Sequence, residues 1–244
     1  MTSSKVGVIF YHKNILNLYY PHWIKKSVES MVNQKNSEFK IYEINYGGEE
    51  YSVLEGIDHN KEVDFYSKEF QNHAQAMNFI LDKAFGDGCE YVFNTNLDDY
   101  YSHDRIYKQI QILNSGADLV SSNFCYIEGD GNVDQILKYM TMSEGEIKDH
   151  FERNHNVVAH PSVAYSKKFW EGNRYVDSEI PNEDFFLWKR ALNSGYSIKI
   201  SPEYLLFYRL HNSQVTGNNT TGAEELRKRP KVNQPLPPGP GLIR

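Results

Sequence analysis

The 244-residue chain is 40% hydrophobic and 24% charged, enough apolar material for one sizeable core and an ordinary balance for a globular protein. Its net charge of −6 leaves no broad basic face, which argues against nucleic acid or an anionic membrane surface as a partner. Two cysteines, Cys89 and Cys125, without CxxC spacing support neither a disulfide framework nor a structural zinc site.

In chain order, Lys5–Tyr11 is a β-branched and aromatic run that predicts a buried parallel strand, and Pro21–Val32 predicts a helix with Pro21 near its first turn. Phe39–Asn45 alternates apolar and polar residues and stops at Gly47-Gly48, a second strand entering a turn, and Val63–Tyr66 is a short third strand. Between Asn72 and Phe85 the residues Met77, Ile80, Leu81, Ala84 and Phe85 recur at three and four, the period of an amphipathic helix that Gly86 and Gly88 end. Glu90–Asn94 is a fourth strand that runs into Asn96-Leu97-Asp98-Asp99. Ser102 is the expected N-cap of a helix with Ile106, Ile110 and Leu113 on one face, and Ala117–Cys125 is a further strand. The second half is less regular: Gln135–Phe151 reads as helical, His155–Tyr165 as extended, Glu183–Leu192 as helical, and Ser197–Ser201 and Glu203–His211 as late strands. Residues 1–216 are expected to form one domain; from 217 the chain turns to Gly, Asn, Thr, Lys, Arg and Pro, with too few apolar residues to offset ordering, which predicts a flexible tail. No 18-residue apolar stretch occurs and Val6–Phe10 is too brief for a signal h-region, so the expected location is cytoplasmic with no integral membrane segment.

Strands separated by helices of this length indicate βαβ units and an α/β fold, a mostly parallel sheet with helices on both faces. Ligands bind such sheets at the carboxyl ends of strands, which puts Asn45–Gly48 and Asn96–Asp99 on one edge, where a nucleotide lies across both. Asp98-Asp99 offers hard oxygens to Mg²⁺ or Mn²⁺, an ion able to neutralise a departing diphosphate. A plain turn before Ser102 would also use Asn and Asp, but the place at a strand's carboxyl end favours the metal. Glu183-Asp184 has two readings: acidic residues in a first helical turn complement the dipole by about 0.3–1 kcal/mol each, and a carboxylate there is also a general base for an acceptor hydroxyl. Arg209 is suited to a forked contact with a diphosphate and His211 to a cation or phosphate, against a surface ion pair and a solvated loop.

Five segments carry a resemblance: KVGVIFYHKN, NHAQAMNFILDKAFGDGCEYVFNTNLDDYY, HPSVAYSKKFWEGNRYV, NEDFFLWKRALNSGYSI and LLFYRLHNSQVT. In this order, from about Lys5 to Val215, they resemble the family 2 glycosyltransferases of the GT-A fold. The resemblance implies a GT-A type sheet with a nucleotide-binding Rossmann-like half and an acceptor-side half. It implies inverting, hexosyltransferase-like transfer from a nucleotide-sugar donor, a UDP-sugar, to a glycan or other hydroxyl acceptor. The family's Asp-x-Asp-Asp region falls on Asn96-Leu97-Asp98-Asp99, which implies Asp98 or Asp99 as ligand of Mn²⁺ or Mg²⁺. Its Glu-Asp motif falls on Glu183-Asp184, which implies Asp184 as the base of a single displacement, and its late arginine and histidine fall on Arg209 and His211. Asn45, Tyr46, Asn78 and Asn96 join Asp98 and Arg209 as candidate donor contacts, and His211 joins the two aspartates as a candidate metal ligand.

The chain departs from the pattern around the nucleotide. Asn96 stands where the first aspartate is common, Asn45-Tyr46-Gly47-Gly48 replaces an acidic strand end, and Met77 takes the place of a frequent arginine. His160, Tyr165 and Trp188 resemble acceptor-side positions, Trp188 either stacking on a sugar or lying in the core. Two other readings compete. A sugar nucleotidyltransferase wants a glycine-rich phosphate loop after the first strand, and Tyr11–Tyr20 has no glycine. A non-catalytic nucleotide-sugar or glycan-binding module is opposed by retention of Asp99 and Asp184.

Overall fold

Val8 and Phe10 of the first strand belong to one buried cluster and Ile9, between them, to another, so a single alternating strand serves two cores. The computed structural model describes residues 6–129, 132–137 and 142–211. The tail expected over 217–244 and Lys5 of the first expected strand lie outside these. In order the elements are β1 (Val6–His12), α1 (Ile15–Leu18), α2 (Pro21–Val32), β2 (Lys40–Asn45), β3 (Val63–Ser67), α3 (His73–Gly86), β4 (Tyr91–Thr95), β5 (Tyr100–Tyr101) and α4 (Arg105–Asn114). There follow β6 (Leu119–Glu128), β7 (Asn132–Leu137), α5 (Glu144–Glu152), β8 (Ala164–Ser166), α6 (Lys167–Gly172), α7 (Glu183–Asn193) and β9 (Ile198–Leu210).

One sheet runs through them in the order β3-β2-β1-β4-β8-β6-β9-β5, with β7 paired to β6. The four strands β3, β2, β1 and β4 are mutually parallel, as are β6 and β9. The short β8 joins the two blocks antiparallel to both β4 and β6. Order reverses at β1, since β2 and β3 lie on one side of it and β4 on the other. The carboxyl ends of β1 and β4 therefore form a switch point, the crevice where sheets of this kind take ligands.

The alternation decides which helix covers which face. Met77, Ile80, Leu81 and Ala84 of α3 and Leu187, Trp188 and Ala191 of α7 pack with Ile9, Tyr42 and Val92. Ile24, Val28 and Met31 of α2 and Ile106 and Leu113 of α4 pack with Val8, Phe10, Phe93 and Val120. Each Val, Leu, Ile, Met or Phe among them contributes about 1.5–3 kcal/mol by leaving water. Trp188 is 0% exposed, so it belongs to the core and has no face to offer a sugar.

Four local expectations are corrected. The helix expected over Gln135–Phe151 is the strand β7 followed by α5, which starts only where Ser143 and Glu146 form a reciprocal capping box. Ser102 does not cap α4; Asp104 occupies that place, and Ser102 is tied to β9 through its N–H to the Leu205 carbonyl at 3.1 Å. The extended run expected over His155–Tyr165 is interrupted by a 3₁₀ turn at His160–Ser162 containing Pro161, and only Ala164–Ser166 is strand. The two late strands are one, β9, whose register against β6 slips around Pro202; the Pro202 carbonyl accepts from Asn123 Nδ2 at 2.9 Å.

Candidate active site

β4 delivers the chain to the switch point, where Asn96–Asp99 is pinned from several sides. Leu97 is buried, the Asn96 carbonyl accepts from Ser27 Oγ at 2.9 Å, and the Asn96 N–H donates to the Tyr101 hydroxyl oxygen at 2.7 Å. Behind the loop stands Arg209 of β9, wholly buried. Its Nε donates to the Asp98 carbonyl at 2.7 Å, its Nη1 to the Gly129 carbonyl, and its guanidinium lies 4.6 Å from the Trp23 ring centre. The Arg209 N–H donates to Asp99 Oδ1 at 2.8 Å. The guanidinium thus braces the acidic loop from within, on the side away from solvent.

Asp98 Oδ2 lies 3.0 Å from His211 Nε2, the two side chains each only 8% exposed. The rings of Tyr19 and Trp23 flank the imidazole at 5.3 and 5.2 Å. Burial, with the neighbouring Asp98 charge, pushes the Asp99 carboxyl well above the usual carboxylate range, and the Arg209 N–H only partly opposes this. Asp99 Oδ2 is enclosed without a partner among the described residues. No three of His, Cys, Asp and Glu among the described residues are grouped as a metal cage. Of the three expected metal ligands, the Asp98 carboxylate and the His211 imidazole face each other, whereas Asp99 turns Oδ1 to the Arg209 N–H. A hard oxygen and an imidazole with the remaining positions left to phosphate oxygens suit Mn²⁺ or Mg²⁺ as an ion shared with substrate.

The second carboxylate pair opens α7. Glu183 Oε1 lies 2.9 Å from His73 Nδ1, and although burial works to raise the Glu183 carboxyl, the His73 contact holds it below its usual range. Asp184 Oδ1 accepts the Phe185 N–H at 2.7 Å and Oδ2 accepts Asn156 Nδ2 at 3.2 Å. Burial, then the Glu183 charge, leaves Asp184 above its usual range in spite of the Phe185 N–H. Two adjacent carboxyls are thus driven in opposite directions.

A wall of rings joins the two pairs. The Tyr11 hydroxyl donates to Asn96 Oδ1 at 2.5 Å, and the Tyr11 ring lies 5.0 Å from His73. His160, whose pKa burial pushes down to about 3, meets the Tyr175 hydroxyl at 2.8 Å, and Tyr165 meets the same hydroxyl at 2.7 Å. Of the expected donor contacts, Asn78 bonds the Tyr175 backbone with both side-chain groups, at 3.0 and 3.1 Å. Asn45 is buried at the end of β2, its Oδ1 accepting the Gly47 N–H at 3.1 Å. Tyr46 stands near enough to Glu183 for that charge to add to the rise that burial gives its phenol.

Sequence reasoning missed Tyr11, His73 and Tyr175, and also the buried His12–Glu43 contact of 2.9 Å beneath Asn45, in which Glu43 also accepts from Ser52 Oγ and the Val53 N–H. A signal existed for two of these. Tyr11 lies at the carboxyl end of β1, and His73 opens α3 immediately after the Asn72 cap, both at the edge where ligands bind.

The sequence model described as Glycosyl transferase family 2 matches residues 6–177. An uncharacterised glycosyltransferase of Methanocaldococcus jannaschii is 26% identical over 204 residues, covering 78% of this chain and 67% of that protein. The O-antigen biosynthesis glycosyltransferase WbnJ of Escherichia coli is 27% identical over 205 residues, covering 80% and 78%. Among solved structures, S. aureus TarS 1-349 in complex with UDP superposes with a TM-score of 0.62 at 14% identity over 85% of this chain, which spans 61% of that one. The mannosyltransferase PcManGT from Pyrobaculum calidifontis, in complex with GDP-Man and Mn²⁺, gives 0.56 at 10% identity, covering 94% and 66%. At such identities the structural likeness shows the fold, which is of the GT-A type.

Proposed function

The chain belongs to glycosyl transferase family 2, and on that premise we propose that it moves a sugar from a nucleotide-sugar donor, a UDP-sugar, to a hydroxyl acceptor by metal-dependent, inverting single displacement. The observation that carries this reading is the Asp98–His211 contact of 3.0 Å at the switch point, linked through Asn96, Tyr11 and His73 to the Glu183–Asp184 pair. Asp98 and His211 would hold a divalent ion, which would supply positive charge to the departing diphosphate. Asp99 and Arg209 fix the loop that presents Asp98, and Asn96 and Tyr46 offer uncharged hydrogen-bonding groups on the donor side. Asp184 takes the proton of the acceptor hydroxyl as that oxygen attacks.

The test is a panel of UDP- and GDP-sugars with Mn²⁺ or with chelator, scored for free nucleoside diphosphate. One donor should be hydrolysed or transferred with Mn²⁺ and not with chelator, and Asp98→Asn should abolish the difference. Equal release in chelator, or an unaffected Asp98→Asn protein, would reject the metal site.

A further inference from the structure

Glu183 is held in place by a residue 110 positions earlier in the chain. His73 is the first residue of α3, where Asn72 caps the helix by accepting the Gln75 N–H at 3.0 Å, and its Nδ1 lies 2.9 Å from Glu183 Oε1. Although burial opposes a charge on Glu183, its carboxyl sits below the usual range. An ionised carboxylate has no proton to give, so the proton of this contact is carried by His73 Nδ1.

The imidazole is clamped in turn. Its centre lies 5.0 Å from the Tyr11 ring, 5.9 Å from His160 and 6.3 Å from Tyr175. Tyr11 is tied to Asn96, His160 to the Tyr175 hydroxyl, and the Tyr175 backbone to Asn78, so the ring has little freedom to turn. The result is a carboxylate with one oxygen fixed while the other, Oε2, is enclosed and has no partner among the described residues. A charged oxygen without a donor is costly, and a substrate hydroxyl is a donor of the right kind.

We propose that His73 is a positioning residue: it orients the Glu183 carboxylate so that Oε2 accepts a hydroxyl of the sugar-bearing substrate. The inference rests on the transfer reading above. The titratable groups facing Glu183 are His73 on α3, His160 in the 3₁₀ turn, Asp184 on α7 and Tyr46 after β2.

The experiment uses the full chain with His73→Leu, which removes the donor, and His73→Asn, whose amide N–H stands near the former Nδ1. The first readout is the ¹³C titration of the Glu183 side chain, assigned with Glu183→Gln. His73→Leu should move it up toward an ordinary glutamate, and His73→Asn should keep it low. The second is UDP release from the UDP-sugar that the wild type turns over with Mn²⁺. There His73→Leu should lower kcat on the order of 10- to 100-fold, the scale of a small misplacement at a reacting centre, with His73→Asn recovering most of it. Should His73→Leu fail to fold, Glu183→Gln tests the same contact from the other side and should lower kcat on a similar scale. A Glu183 titration that ignores His73→Leu, or Leu and Asn variants of equal activity, overturns the proposal. A moved titration in a protein that releases UDP from no donor leaves the His73–Glu183 pair standing, and refutes the transfer reading together with the hydroxyl contact built on it.

Discussion

Replacing Arg209 by Met keeps most of the buried stem and removes every donor of the guanidinium. The structure sets the size of the effect. Among the described residues two charge-assisted bonds disappear, to the Asp98 and Gly129 carbonyls, each worth about 1.5–3 kcal/mol. A desolvated cation over Trp23 adds about 2 kcal/mol. Against this, removing a buried cation relieves a desolvation penalty of several kcal/mol. The net expectation is a loss of about 3–5 kcal/mol, chiefly from leaving two buried carbonyls unpaired at about 1–3 kcal/mol each. For a domain of this size 1 kcal/mol moves Tm by about 2–4 °C, so the melting temperature should fall by about 6–20 °C. Arg209→Lys should fall between, because a single ammonium on a flexible stem cannot reproduce the planar fork. Urea unfolding of the three full-length proteins at one pH measures the difference. A Met variant within about 1 kcal/mol of wild type, small beside the bonds counted above, would refute the idea that Arg209 braces the acidic loop.

Three further outcomes follow from the same contacts. Asp184→Asn should lower acceptor transfer by about 10²–10⁴ while calorimetric affinity for the nucleoside diphosphate stays unchanged; loss of both would move Asp184 to the donor side. Burial raises the Asp184 carboxyl, so below its shifted pKa the base is protonated and idle, and activity climbs as pH rises through that value. The acid limb of kcat/KM should therefore lie above the ordinary aspartate value of about 3.9, and a limb at or below that value would remove the assignment. Trp188→Ala should cost about 3–5 kcal/mol of stability, as expected for a wholly buried tryptophan; a variant that melts with the wild type yet binds acceptor poorly would restore the stacking role.

The parallel block was legible because its signals are local. Pro21 at the first turn of α2, the three-and-four spacing of α3 and the apolar runs of β1 and β4 each fix an element without help from elsewhere. The second half was less so because its elements depend on partners. β7 exists through pairing with β6, and β9 stays one strand across Pro202 only because β6 accommodates the slip. Among site residues, Asp98 and Glu183–Asp184 stood out as acidic pairs at element ends. Arg209 was legible as a charged residue but not as a buried one, since nothing in Tyr208-Arg209-Leu210 reveals that three carbonyl or carboxylate oxygens and Trp23 wait for it. His73 was hidden for the same reason: its partner is 110 residues away.

The opposite shifts at the head of α7 bear on how the proposed transfer divides its work. Two carboxylates side by side cannot both be good proton acceptors near neutrality, because a group held strongly ionised has little affinity for a proton. His73 holds Glu183 low, which suits it to accept a hydrogen bond throughout and makes it a poor base. Asp184 has weaker compensation, one backbone N–H and one amide at 3.2 Å, and burial together with the fixed charge of Glu183 lifts it toward the working pH. The histidine on α3 acts on both carboxyls: it holds Glu183 ionised, and it also lowers Asp184 directly, which moderates the rise that burial and Glu183 give. That coupling is testable, because His73→Leu should raise the Asp184 acid limb: the lowering influence of His73 is gone, while Glu183, returned toward an ordinary glutamate, is still ionised near neutrality, and a limb that stays where it is would refute the coupling.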